Sequence, residues 1–181
     1  MSSDLSTSLR HFAEGGFVIV TDDAKRENEG DLFLLAEHAT TEKIAFMIRY
    51  TSGVICVPMT EARSRELHLP LMVKNNQDTK RTAFTVTVDV KHGITTGISA
   101  EERANTIRAL ADSSMNAEDF IRPGHIFPLV SNEGGLRARQ GHTEAIIEMC
   151  RRVGSKEVGV ISELVNEDGS MMRGDELMKF A

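Results

Sequence analysis

The sequence predicts an α+β domain, a layered fold with a mixed β-sheet flanked by helices. Three observations carry that expectation. Strand-like and helix-like segments alternate along the chain, as layered α/β and α+β domains require. Some strand-like segments follow one another directly, which calls for antiparallel as well as parallel pairing. The 181 residues, 40% of them hydrophobic, can bury one sizeable core, and no repeat, linker or low-complexity tract divides them. A single domain over residues 1–181 is expected.

The elements are taken in order. Residues 7–14 read as a short helix stopped by Gly15-Gly16. FVIVTD (17–22) is an apolar run that reads as a buried strand, and DLFLLAE (31–37) as a second strand after a charged turn. TEKIAFMIRYTSG (41–53) has apolar residues at 44, 47 and 48 and a glycine stop, so it is a helix. GVICVPM (53–59) is another apolar strand. KNNQDTKR (74–81) is polar and aperiodic, a mobile loop by pattern, whereas TAFTVTVDV (82–90) alternates and is rich in β-branched residues, a strand. SAEERANTIRALAD (99–112) opens with the capping box Ser99 to Glu102 and is a helix. RPGHIFPLV (122–130) is a turn entering a strand, GHTEAIIEMCRRVG (141–154) a helix, and EVGVISELVN (157–166) a strand.

Charge and composition exclude several function classes. The net charge is −6 and no Lys/Arg stripe exists, so nucleic acid is not an expected partner. Cys56 and Cys150 both lie in apolar runs and read as buried thiols rather than a disulfide. The N-terminal MSSDLSTSLRHF has no apolar signal core, and no apolar run is long enough to span a bilayer. A cytoplasmic protein without membrane contact is expected.

Four segments hold residues suited to chemistry. DDAKRENEGD (22–31) is the densest charge run of the chain. If extended, it sets Glu27, Glu29 and Asp31 on one side and Arg26 and Asn28 on the other. Clustered carboxylates repel unless a cation compensates, and a hard divalent ion would do so. Charge alone nevertheless favours a solvated turn in which Lys25 and Arg26 pair locally. In RQGHTEA (139–145), Gly141-His142-Thr143 opens a helix, whose N–H groups and dipole suit an anion. Arg139 adds a forked cation, and His142 has a neutral imidazole for a metal. A helix cap made by Thr143 or His142, with Arg139 simply exposed, explains the segment equally well. His125 in RPGHIFPL would by itself be structural. Glu163 lies in the apolar run ISELVN, where burial is costly without a partner. It suits a general acid or base, or it faces solvent at a sheet edge. No nucleophile elbow, phosphate-binding P-loop or dinucleotide fingerprint is present. Metal-dependent chemistry on a small phosphorylated or carboxylated metabolite is the reading that these residues support together.

The six segments DDAKRENEGD, TAFTVTVD, HGITTGISAEERA, RPGHIFPL, RQGHTEA and ELVNEDG occur in an order that resembles the 3,4-dihydroxy-2-butanone-4-phosphate synthase family of riboflavin biosynthesis. The resemblance runs from about Phe12 to about Gly169. It implies a lyase that converts D-ribulose 5-phosphate to L-3,4-dihydroxy-2-butanone 4-phosphate and formate. It also implies Mg²⁺ (or Mn²⁺) and a homodimer with active sites at the subunit interface. By matching motif, Glu27 and His142 are the implied metal ligands. Arg26, Glu27, Asp31, Thr96, Arg139, Gln140, Gly141, His142, Thr143 and Glu163 are the implied substrate contacts. His125 and Glu163 are implied as catalytic, with Asp31 and Glu29 as further acid/base candidates, and Ser99 lies near the site. One departure is Glu102 where the family carries Asp, a change that the capping box absorbs. Many relatives carry a C-terminal GTP cyclohydrolase II domain. The absence of its cysteine cluster from this sequence makes a stand-alone synthase the expectation.

Overall fold

The computed structural model describes residues 4–181, so the first three positions of the expected domain and of the N-terminal segment lie outside the described residues. Helix α1 (Leu5–Ala13) leads to strands β1 (Val18–Thr21) and β2 (Gly30–Leu35). Helix α2 (Thr41–Tyr50), strand β3 (Cys56–Met59) and a short helix α3 (Glu61–Glu66) follow. Strand β4 (Val88–Val90), helix α4 (Ala100–Ala111) and the long strand β5 (Phe120–Val130) form the middle of the chain. Helix α5 (His142–Val153), strand β6 (Gly159–Glu163) and helix α6 (Asp175–Phe180) complete it.

The strands form one mixed sheet in the order β1-β2-β6-β3-β5-β4. Only β3 and β5 run parallel; the other neighbours are antiparallel. This is the α+β class expected from the alternation. Strand β2 shows how the layers arise. All six of its residues are buried, and Leu32 and Leu34 join one core cluster while Phe33 and Leu35 join the other. A strand with period-two side chains and two apolar faces must be covered on both sides. Ile44 and Met47 of α2 and Ile107 and Leu110 of α4 cover the first face. Phe12 of α1 and Ile146, Ile147 and Cys150 of α5 cover the second. Each such apolar side chain contributes about 1.5–3 kcal/mol on burial.

Helix ends follow local chemistry. Ser99 and Glu102 form the expected capping box at α4. Thr40 caps α2 by accepting the Lys43 N–H, worth about 1 kcal/mol. Gly154 ends α5 in the left-handed conformation that favours glycine.

Several expectations needed correction. FVIVTD is a half-buried edge strand, because β1 has a neighbour on one side only. The alternating 82–90 run is a regular strand only over Val88–Val90. Upstream it makes single bridges, Leu71 with Thr85 and Phe84 with Leu129. Tertiary partners on two sides prevent one continuous ladder there. Strand β5 begins before Pro123 rather than after it. Helix α2 stops at Tyr50, before the expected glycine stop, and β3 starts at Cys56, after the expected start at residue 53. Helices α3 and α6 were not anticipated; each is only 6 residues long, too short to show helical periodicity.

Candidate active site

Strands β2 and β6 bring two carboxylates together. Their antiparallel register pairs Asp31 with Glu163, so the first acidic residue of β2 and the last of β6 are direct neighbours. Glu163 therefore sits at the end of an interior strand, not on a sheet edge. Its Oε2 accepts the Ser52 hydroxyl at 2.7 Å. The start of α5 lies beside the same wall: His142 Nδ1 is 3.1 Å from Asp31 Oδ1.

The acidic segment is a turn rather than an extended strand. Asp22 organises it, since its two carboxylate oxygens accept the Glu27 N–H at 3.1 Å, the Glu29 N–H at 3.0 Å and Arg26 Nη1 at 2.8 Å. The simple alternation of Glu27, Glu29 and Asp31 therefore fails: Asn28 adopts a left-handed backbone, φ 55°. All three carboxylates still line one cleft of about 320 Å³, together with Arg26, Arg139, His142, Thr143 and Glu163. Tertiary folding achieves what alternation does not. Cys56 lines the same cleft although it is only 4% exposed, so the buried-thiol reading and proximity to the site both hold.

The electrostatics follow from burial and crowding. Burial drives the Asp31 carboxyl well above the ordinary range, and the Glu163, Glu27 and Glu29 charges add to it. Burial also raises Glu29, with Glu27 and Glu163 contributing and Arg173 opposing. For Asp22, burial acts upward but is outweighed by the Glu29 and Glu27 N–H groups and by Arg26, so its carboxyl is lowered. Burial lowers His142, favouring neutral imidazole despite the nearby carboxylates. The Cys56 thiol is pushed up by burial and is no nucleophile.

Two buried polar atoms in this wall, His142 Nε2 and Asp31 Oδ1, make no hydrogen bond, the second because the His142 Nδ1 that lies 3.1 Å away does not meet hydrogen-bond geometry. Buried polar groups normally find partners, so such a pair marks a place where a ligand belongs. Among the described residues, no three His, Cys, Asp or Glu side chains enclose an ion by themselves. Any hard cation here would complete its shell with water and substrate oxygens. At the head of α5, Gly141 is the N-cap and no side chain caps the turn. The alternative in which His142 or Thr143 is the cap is thereby set aside. Ala145 N–H makes the first bond, to Gly141 O, which leaves the preceding N–H groups without a helix carbonyl. The expected free fork of Arg139 is in fact engaged: it pairs with Glu144 at 2.6 Å and donates to Lys80 O and Thr82 Oγ1 at 3.1 Å each. The polar 74–81 loop is thus tied to the cleft, and Lys80 Nζ also donates to Arg26 O at 3.0 Å.

Five residues expected at or near the site do not line the cleft: Gln140, Gly141, His125, Thr96 and Ser99. Gln140 is exposed. His125 lies on β5, where Asp89 of β4 holds it: its N–H donates to Asp89 Oδ1 at 2.9 Å, and its Nδ1 lies 2.7 Å from Oδ2. Thr95 and Ser99 meet Glu102 beside this second group. The chain thus carries a second group, Asp89 with His125, that does not line the cleft. Larger concavities lie elsewhere: one of about 630 Å³ beside α3 contains none of these residues, and one of about 490 Å³ shares only Arg139 with the cleft.

A family model for 3,4-dihydroxy-2-butanone 4-phosphate synthase matches residues 6–181. The chain belongs to that family. It is 48% identical to the 3,4-dihydroxy-2-butanone 4-phosphate synthase of Saccharomyces cerevisiae, over 99% of this chain and 90% of the yeast protein. It is 51% identical to the riboflavin biosynthesis protein RibBA of Salinispora arenicola and 46% identical to that of Chlamydia trachomatis, over 97% and 99% of this chain. It spans only 42% of each of those two proteins. A crystal structure of 3,4-dihydroxy-2-butanone 4-phosphate synthase in complex with two magnesium ions superposes with a TM-score of 0.95 at 46% identity, covering 99% of this chain and 88% of that one. The sheet order and helical layers described above are therefore the synthase fold.

Within this synthase fold, sequence reasoning missed or left without a role the residues that hold the site residues. Asp22, Ser52, Lys80, Thr82, Asp89 and Arg173 all bond a predicted site residue or its backbone. Asp22 carried a signal in the charge run, and Thr82 and Asp89 lie in the TAFTVTVD segment, but the bonds of Ser52, Lys80, Thr82, Asp89 and Arg173 to the site act across the fold and leave no local pattern.

Proposed function

We propose that this chain converts D-ribulose 5-phosphate to L-3,4-dihydroxy-2-butanone 4-phosphate and formate in riboflavin biosynthesis. The observation that carries the reading is the convergence of Glu27, Asp31, His142 and Glu163 on one cleft at the open N-terminus of α5. The unpartnered His142 Nε2 and Asp31 Oδ1 make the same wall suited to a divalent ion. Glu27 and His142 would hold Mg²⁺ (or Mn²⁺), with water and substrate filling the remaining positions. Bound there, the ion supplies Lewis-acid stabilisation of charge on the substrate oxygens.

The rest of the chemistry falls to the chain. The reaction starts with removal of a proton next to a ketone, giving an enediol. Water is then lost from C1, the skeleton rearranges, and C4 leaves as formate as water is returned. Each step needs a proton held or moved at a defined place. Asp31, driven up by burial, holds a proton at a pH where an ordinary carboxylate cannot. Glu163 is adjacent for the partner role, oriented by the Ser52 hydroxyl. Glu29, also raised, is a third candidate. The open N–H groups of Gly141, His142 and Thr143 suit the phosphate, whose binding energy orients the reacting carbons. Arg26 and Arg139 supply positive charge around it, and the 74–81 loop excludes water.

We assign His125, Thr96 and Ser99 to the same reaction through a second copy of the chain. A second group outside the cleft lining is what a homodimer with interface active sites would bring to it. The acidic net charge and, among the described residues, the lack of a helix long and apolar enough to cross a membrane support a cytoplasmic location. The deciding assay measures formate released from ribulose 5-phosphate with Mg²⁺, with Mn²⁺ and after chelation. Release of stoichiometric formate is expected; a five-carbon product without formate would overturn the proposal.

A further inference from the structure

The acidic loop turns at a residue that Asp22 brackets from within the segment, through the Glu27 and Glu29 N–H groups, and that a distant side chain holds from outside. Asn28, between Glu27 and Glu29, has φ 55°. Asparagine tolerates this left-handed region better than most residues, but it persists only where the surroundings hold it. Beside the Asp22 bonds, a second hold comes from a residue 145 positions away. Arg173 Nε donates to Asn28 O at 3.1 Å, and Arg173 Nη2 donates to Glu29 Oε1 at 3.0 Å. One guanidinium fork thus bridges the carbonyl of the left-handed residue and the next carboxylate.

Arg173 is itself anchored. Its N–H donates to Glu176 Oε2 at 3.1 Å, and that carboxylate also accepts Asn166 Nδ2 at 3.3 Å. Met172 N–H donates to Leu164 O at 3.0 Å, next to Glu163, and Met171 bridges to Val165. On the other side, Leu177 of α6 is buried against Gly30, where a Cβ would lie 2.6 Å from Leu177 Cδ2. The segment from Met171 to Leu177 is therefore fastened to the strand that carries Glu163 and to the glycine before Asp31. A lone ion pair at this exposure contributes little. The fork onto a backbone carbonyl, at a strained residue inside the site loop, is a different matter.

We propose that Arg173 is a positioning residue that locks the acidic loop in its left-handed turn and so aims Glu27 and Glu29 into the cleft. Its catalytic consequence rests on the function proposed above; its effect on loop order does not. Two variants of the full chain, Arg173→Met and Arg173→Lys, test it. Amide exchange followed by NMR, with chelator and no substrate, reads the Glu27 and Glu29 N–H groups that bond Asp22. Arg173→Met should speed exchange at these two amides about tenfold and leave β6 and α4 unchanged, the loss expected for charge-assisted hydrogen bonds. It should lower kcat about tenfold with a smaller change in KM. Arg173→Lys should recover part of both effects, because an ammonium keeps one of the two bonds. In a Glu29→Gln background, Arg173→Met should cost much less than in the wild type, since coupled residues are not additive. Unchanged exchange at Glu27 and Glu29, an unchanged kcat, or equal acceleration throughout β2, β6 and α4 would each overturn the proposal. If the wild type releases no formate, the function fails while the exchange experiment still judges the clamp.

Discussion

Asp31 and Glu163 face each other across the β2–β6 ladder, one fully buried and the other half-buried. Like charges set directly opposite in a sheet destabilise it. His142, lowered by burial, is not favoured as the cation that would offset them. The pair makes sense as a site in which one carboxyl keeps its proton.

A pH dependence of stability follows from Asp31. Its folded value is raised above the ordinary 3.8, so the folded state binds the proton more tightly than the unfolded chain. This contribution is fully present below about pH 4. It is lost as pH rises toward the folded value, which leaves an ionisation penalty at neutral pH and above. In the chelated protein, Asp31→Asn should raise the unfolding free energy at pH 8 by about 1–3 kcal/mol, and the gain should vanish near pH 3. Activity should fall. Denaturant titrations at the two pH values measure this; equal midpoints for both proteins at pH 8 would contradict it.

Glu27→Gln and His142→Ala should each reduce turnover roughly 10²–10³-fold while far-UV circular dichroism stays native. Both should weaken Mn²⁺ binding measured by electron paramagnetic resonance. Glu163→Gln should instead lose turnover and keep substrate affinity in isothermal titration, because its proposed role is proton transfer. Wild-type Mn²⁺ affinity in the first two variants would refute their role as ligands.

Glu163 lines the cleft and His125 does not. If the proposed dimer brings one subunit's His125 to the other's cleft, His125→Ala and Glu163→Gln should complement. Mixed, unfolded and refolded in equal amounts, the two inactive variants should regain about a quarter of wild-type activity, since half the dimers are mixed and each carries one intact site. No recovery in soluble, refolded mixtures would place both residues in one subunit's site.

Gly124 has a steric role distinct from any chemistry. A Cβ there would collide with the Val88 carbonyl carbon and the Asp89 nitrogen of the crossing strand β4, which are backbone atoms that cannot give way. Gly124→Ala should cost about 3 kcal/mol or more and detach Asp89 from His125. A melting temperature within a degree of wild type would show that the strands separate freely.

Most of the layers were legible in the sequence because they depend on local and periodic signals. The Ser99–Glu102 box placed α4, and the apolar runs placed β2, β3 and β6 to within a few residues. The charge run, RQGHT and Glu163 were legible as site residues because charged or glycine-flanked groups beside apolar strands are unusual. Helices α3 and α6 were not, since one and a half turns leave too few positions to show a period. The same limit applies to Arg139: the sequence shows an arginine, but its engagement by Glu144, Lys80 and Thr82 depends on three segments meeting.

By itself, then, the sequence determined the types of the longer elements and the family, which reside in residue order and spacing. The tertiary structure alone decided the register that sets Asp31 against Glu163, the left-handed Asn28 held by Arg173, and the place of His125 outside the cleft lining. These depend on contacts between residues far apart in the chain, whose geometry is set by strand order and packing and leaves no periodic trace.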